Sequence, residues 1–222
     1  MKAFASTAGW LAIVGVGTTL APLTAMAQPV PAASGASIED TALSPEKFAF
    51  ARTGNGAAGE WRVVDDPTAA NGKALAQLSR DATDYRFPLA VYRPTTARNL
   101  DVAIRFKPVD GRIDRAGGVA VRLSGPDDYY VVRANALEDN VRLYRLVKGR
   151  REQIAGADTK VASGVWHTLR LRAEGSRFTV TFDGTQLFTA DDKTFADGGQ
   201  VALWTKADSL TLFDRIDLTV LP

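Results

Sequence analysis

One histidine, His167, and no cysteine narrow the reactive side chains of this 222-residue chain. An imidazole has the right intrinsic pKa for a general base. In Trp166-His-Thr-Leu-Arg-Leu-Arg172, however, His167 alternates in step with Leu169 and Leu171. Side chains two apart on a strand share a face, so this ring points toward a core and reads as hydrogen-bonded structure. Glycoside hydrolysis by the common route needs two carboxyl groups, about 5–5.5 Å apart for retention and about 6.5–9.5 Å apart for inversion. The acids here fall mainly in turn-like segments: Asp127, Asp128, Glu138, Asp139, Asp183, Asp191 and Asp192. Carboxylates in turns usually bond the local backbone; a loop pair meeting across a groove remains open. A transition-metal site lacks its usual thiolate and imidazole ligands. Calcium takes oxygen ligands instead. Asp214, where the final strand looks interrupted, is the acid a structural calcium would use; no other cofactor is expected.

The strongest set of binding residues lies between Gly117 and Leu146, a run of three strands. Gly125-Pro126-Asp127-Asp128 and Glu138-Asp139-Asn140 supply the turns between them. Hairpin pairing places Val119, Val121, Val132, Ala134, Val141 and Leu143 on one face. Arg122, Arg133, Asn135, Arg142 and Tyr144 fall on the other. A one-residue slip would scramble both faces, so the register is well specified. Trp204, alternating with Leu203, is expected to look outward and to offer a stacking surface. An aromatic ring beside arginine and asparagine suits a sugar, whose C–H face stacks while its hydroxyls take polar partners. A solvated sheet face, with arginine stems lying over apolar surface, is the competing reading.

The elements that must carry these residues are short strands. Asp101 to Lys107, Trp166 to Arg172, Phe178 to Phe182, Gln200 to Lys206 and Leu210 to Val220 all have strand composition. Asp183-Gly184 is a strong hairpin signal. Many such strands with regular turns predict an all-β antiparallel sandwich or barrel, and no amphipathic helix is evident. Trp61, Phe106, Phe178 and Phe182 fit core positions.

Composition bounds the partners. The net charge is +2 with both signs scattered, so nucleic acid is not an expected partner. Lys2 followed by an apolar stretch and Ala25-Met-Ala27 reads as a signal peptide over residues 1–27, cleaved before Gln28. Residues 28–45 then read as a flexible linker and 46–222 as one domain. The mature chain is expected to be periplasmic or secreted, with no membrane anchor after cleavage.

The motifs together resemble a known group. Gly117-Gly-Val-Ala-Val-Arg122, Asp127-Asp-Tyr-Tyr-Val-Val-Arg133, Asn140-Val-Arg-Leu-Tyr-Arg145 and Gly164-Val-Trp-His-Thr-Leu169 carry the likeness, with Asp183-Gly184, Gly199-Gln-Val-Ala-Leu-Trp204 and Phe213-Asp214. Over roughly Phe48 to Leu221 the chain resembles concanavalin A-like jelly-roll domains, in particular the 3-keto-disaccharide hydrolase group. The resemblance implies a lectin- or glucanase-type jelly-roll sandwich, one concave and one convex sheet, and a carbohydrate ligand. The three-acid strand signature Glu-x-Asp-x-x-Glu of related glucanases is absent from this sequence. Two functions are therefore expected in order: a glycan or modified sugar recognised on the concave sheet, or a glycoside hydrolase or lyase acting on a 3-keto-glycoside.

Overall fold

The computed structural model describes residue 1 and residues 35–222. The expected leader, its cleavage before Gln28 and the start of the linker lie outside the described residues. Fifteen strands follow: β1 Ser37–Asp40, β2 Phe48–Gly54, β3 Trp61–Asp65, β4 Lys73–Gln77, β5 Arg86–Ala97, β6 Leu100–Asp110, β7 Ala116–Gly125, β8 Asp128–Asn135, β9 Asn140–Val147, β10 Arg150–Asp158, β11 His167–Glu174, β12 Arg177–Phe182, β13 Thr185–Asp191, β14 Gly199–Thr205 and β15 Leu210–Val220. Among the described residues no helix is long and apolar enough to cross a membrane.

The strands form an antiparallel sandwich, the all-β jelly-roll architecture expected. The first sheet runs β13-β12-β11-β6-β15-β4-β3, with β1 also paired to β15. The second runs β10-β9-β8-β7-β14-β5-β2. Alternation supplies the core between them. Val102, Ile104, Phe106, Leu169, Leu171, Phe178 and Val180 point inward from the first sheet. Val119, Val121, Tyr130, Val132, Val141, Leu143, Val201 and Leu203 meet them from the second. The Asp183-Gly184 turn takes φ of 46° and 80°, the left-handed pair that a two-residue hairpin demands.

One boundary differs from expectation. The sandwich begins at Ser37 rather than near residue 46, because Ser37 to Asp40 pairs with Thr219 to Ile216. Lys47 and the buried Tyr92 hydroxyl both bond Asp40 and pin this segment. Strand β10 at the edge of the second sheet carries a bulge between Gln153 and Ala155.

The second sheet is rolled. Strands β5 and β10 have four strands between them, so a flat sheet would separate them by ~24 Å. Instead the Arg151 guanidinium carbon of β10 lies 4.9 Å from the ring centroid of Phe87 of β5. The Tyr85 hydroxyl donates to Gly149 O at 2.7 Å and accepts from the Arg151 N–H at 2.8 Å. Thr53 of β2 donates to Pro126 O and lies 2.8 Å from the Tyr129 hydroxyl. The face turned away from the main core is therefore the inside of the curve. It holds a second apolar layer of Phe87, Leu89, Tyr129, Val131, Leu146 and Trp204, over small Ala116, Ala120 and Ala202.

Candidate functional site

The concave face of the second sheet carries a polar cluster beside that apolar layer. Register pairs Asn135 with Asn140 and Arg133 with Arg142 across β8 and β9, and Val131 with Tyr144. Strand alternation then puts Arg133, Asn135, Asn140, Arg142 and Tyr144 on one face. Gly118 lies opposite Arg133 in β7, where a Cβ would come 2.5 Å from Val132 O and 3.0 Å from the Arg133 Cβ. The missing side chain lets the arginine stem lie flat on the sheet.

Arg133 is only 4% exposed. It donates to the Asn140 side-chain oxygen, to Glu138 Oε2 at 2.7 Å and to the Tyr144 hydroxyl at 3.1 Å. Its Nε is buried with no acceptor among the described residues. Asn135 donates to Asp114 Oδ1 at 3.0 Å, and Lys206 reaches Asp114 Oδ2 at 3.0 Å and Asp84 at 2.5 Å. Burial pushes the Asp114 carboxyl above its usual range, outweighing the Lys206 ammonium. Lys206 nevertheless stays charged: burial works against it, but its bond to the exposed Asp84 helps lift its pKa. Burial also raises Glu138, but Arg133 and Asn140 outweigh it and hold that carboxyl below its usual range. Arg142 lies on the same face and pairs with Asp158 at 2.5 Å.

Two of the residues singled out in the sequence take other roles. Arg122 does not join Arg133. The pairing of β7 with β8 slips between Val121 and Gly125, and Arg122 sits in the slip at φ 53°. The bulge turns its side chain to the end of the main core, where it bonds the carbonyls of Arg98, Phe195 and Gly175 at 2.9, 2.8 and 2.6 Å. Trp204 lies on the concave face but is fully buried. Phe87 stacks on it at 5.3 Å and its indole N–H reaches the Tyr129 hydroxyl at 3.3 Å, so it presents no free surface to a sugar.

Asp214 does sit at a strand irregularity, between Phe213 and Arg215. Its Oδ2 takes the Arg105 guanidinium and the Ala70 N–H, and Lys107 bonds the neighbouring Asp66. Calcium needs six to eight oxygen ligands; here two cationic side chains hold the acids. Among the described residues no three His, Cys, Asp or Glu side chains cluster. Two carboxylates already bonded to cations fall short of that number by themselves, while Asp214 Oδ1 is buried without a donor among the described residues. EDTA is accordingly expected to leave the melting temperature unchanged. A fall in EDTA that added calcium reverses would return an ion to Asp214. His167 faces the core edge, with Nδ1 2.7 Å from Asp183 and Nε2 2.9 Å from Ala162 O.

The sequence reading missed Arg151. Its guanidinium lies 4.6 Å from the Tyr144 ring centroid and 4.9 Å from that of Phe87. Its Nη1 is buried without an acceptor among the described residues. Arg133 lies at the same Tyr144 ring, 5.7 Å from its centroid. The available signal was alternation: Arg151 and Gln153 share parity in β10, opposite Leu146 and Tyr144.

A separate groove of about 610 Å³ crosses the outer face of the first sheet, lined by Asp101, Arg170, Arg172, Arg215, Asp217 and Glu39 among others. Arg170 meets Asp101 at 2.6 Å, and Arg215 meets Asp217 and Glu39, both at 2.8 Å. No aromatic side chain lines it. Its ion pairs satisfy one another, and a ligand would have to separate them.

No protein-family model matches the chain, and no curated protein is similar to it in sequence. Solved structures share its fold. A carbohydrate-binding module CBM66 from Bacillus subtilis is 20% identical with a TM-score of 0.61, over 77% of this chain and 94% of that one. A Bacillus subtilis protein of unknown function with a galectin-like fold is 9% identical with a TM-score of 0.59, over 86% and 99%. A Bacillus licheniformis beta-glucanase is 12% identical with a TM-score of 0.56, over 84% and 99%. The chain has the jelly-roll fold of carbohydrate-binding modules, galectin-like proteins and glucanases.

Proposed function

We propose that this is an exported protein that binds a glycan or modified sugar on the concave face of its second sheet. The observation that carries the proposal is the cluster around Tyr144: two arginines against one ring, each with a buried N–H that lacks an acceptor. A buried donor without a partner is costly, and an ordered water or a ligand hydroxyl reaching the cluster would supply the acceptor. The neighbouring folds named above include sugar-binding and sugar-cleaving proteins, which supports the ligand class by analogy.

Cleavage of a 3-keto-disaccharide is the second reading. It rests on the resemblance to the 3-keto-disaccharide hydrolase group; Asp114 and Glu138 are the acids of this face, and their surroundings push the two carboxyls in opposite directions. Asp114 is nearly inaccessible and already bonded to Asn135 and Lys206, so binding is placed first.

A glycan and 3-keto-glycoside screen by titration calorimetry and product analysis tests both. Tyr144→Phe is expected to weaken binding by about 1–3 kcal/mol, and Arg170→Ala to leave it unchanged. The opposite result would move the ligand to the groove on the first sheet. Turnover of the keto-sugar would favour the second reading.

A further inference from the structure

We infer that the sugar bound on the concave face is anionic, and that its carboxylate or sulfate group docks on Arg151. This rests on the proposed glycan binding and adds the chemical class of the ligand.

The other arginines of this region are paired with acids. Arg133 has Glu138, Arg142 has Asp158, and Arg145 has both Glu152 and Asp192. Glu152, next to Arg151 in the chain, is turned to Arg145 on the opposite face of the strand. Arg151 is held by two aromatic rings instead, and its buried Nη1 faces no acceptor among the described residues. Stacking fixes the plane of a guanidinium without consuming the N–H groups along its edge. The backbone beneath is fixed as well, since the Arg151 N–H is bonded by Tyr85. The guanidinium fork is thus held in place before any ligand arrives; the side chain is half-buried, and Nη1 itself is covered. Such a fork matches the two oxygens of a carboxylate or sulfate and binds them with two parallel hydrogen bonds. A neutral sugar would leave this cation unanswered, whereas an acidic one neutralises it.

Uronic acids and sulfated sugars both carry the required oxyanion. Titration calorimetry on the mature chain would compare an oligouronide, its carboxyl-reduced neutral counterpart and a sulfated oligosaccharide of equal length. At least a tenfold preference for an acidic ligand over the neutral one is expected, and added salt should shrink it. Which acidic ligand binds more tightly identifies the oxyanion. In Arg151→Met, which keeps an apolar stem over Phe87, the preference should fall below threefold. Arg151→Lys keeps the charge and loses the fork, and should fall between. Equal binding of acidic and neutral ligands by the native chain would overturn the inference while leaving glycan binding in place. So would a preference that survives in Arg151→Met. Should no oligosaccharide bind, glycan binding itself fails, and melting in sodium glucuronate against sodium chloride at equal ionic strength decides the anion site. A rise in the native chain that is absent in Arg151→Met supports the site; no such difference overturns it. Circular dichroism of each variant confirms that it is folded.

Discussion

Replacing Arg122 with methionine is expected to destabilise the protein by about 3–5 kcal/mol, the range for breaking a buried charged network. The side chain is 2% exposed and donates to three backbone carbonyls from three separate segments. It also lies 5.4 Å from the Phe178 ring centroid and 5.9 Å from that of Tyr130. Methionine replaces the stem but leaves the carbonyls of Arg98, Gly175 and Phe195 without their donor at the closed end of the sandwich. A hydrogen bond from a charged donor contributes ~1.5–3 kcal/mol, and a stranded buried acceptor costs a similar amount. Burial holds the guanidinium pKa below its usual value, yet an arginine has so much in reserve that it remains charged. For a chain of this size the loss corresponds to a fall in melting temperature of roughly 10 °C. Urea and thermal denaturation would measure it. A loss below about 1 kcal/mol would mean that water takes over all three carbonyls.

Trp204→Ala is expected to cost a further kind of stability, about 3–5 kcal/mol from lost packing. The indole is fully buried against Phe87, and its N–H is bonded to Tyr129. Removing it empties the middle of the second apolar layer, and the rolled sheet cannot collapse freely around the gap because Tyr85 ties its corners together. An exposed sugar-stacking tryptophan would give a different result, since surface substitutions usually fall within ~0.5 kcal/mol. Urea denaturation followed by circular dichroism separates the two. Trp204→Phe should recover part of the loss, because the stack with Phe87 can re-form while the bond to Tyr129 cannot.

These two residues show where sequence reasoning reached and where it stopped. Parity in a strand is local, so the shared face of Arg133, Asn135, Arg142 and Tyr144 could be worked out from the chain alone. Arg122 broke the rule because a bulge inserts residues that alternation does not count, and no glycine marks its left-handed φ of 53°. Trp204 kept its predicted face but not its exposure. Exposure there depends on how far the sheet rolls, which is set by contacts such as Arg151 to Phe87 between strands distant in sequence. Ser37 to Asp40 was missed because a short polar segment at a sheet margin carries no apolar alternation. Asp214 was placed correctly at a break in its strand, but the sequence could not say that Arg105 would lie beside it.

The Tyr85 hydroxyl that fastens the rolled sheet has one more effect. Strand β10 is the margin of its sheet, and a margin offers unpaired N–H groups on which a second chain can add a strand. The Arg151 N–H is one such donor, and the phenol already occupies it. A bulge three residues on and the charged Arg150 and Glu152 spoil the remainder of that margin for a flat partner. The contact that gives the concave face its curvature thus also guards the protein against edge-to-edge aggregation.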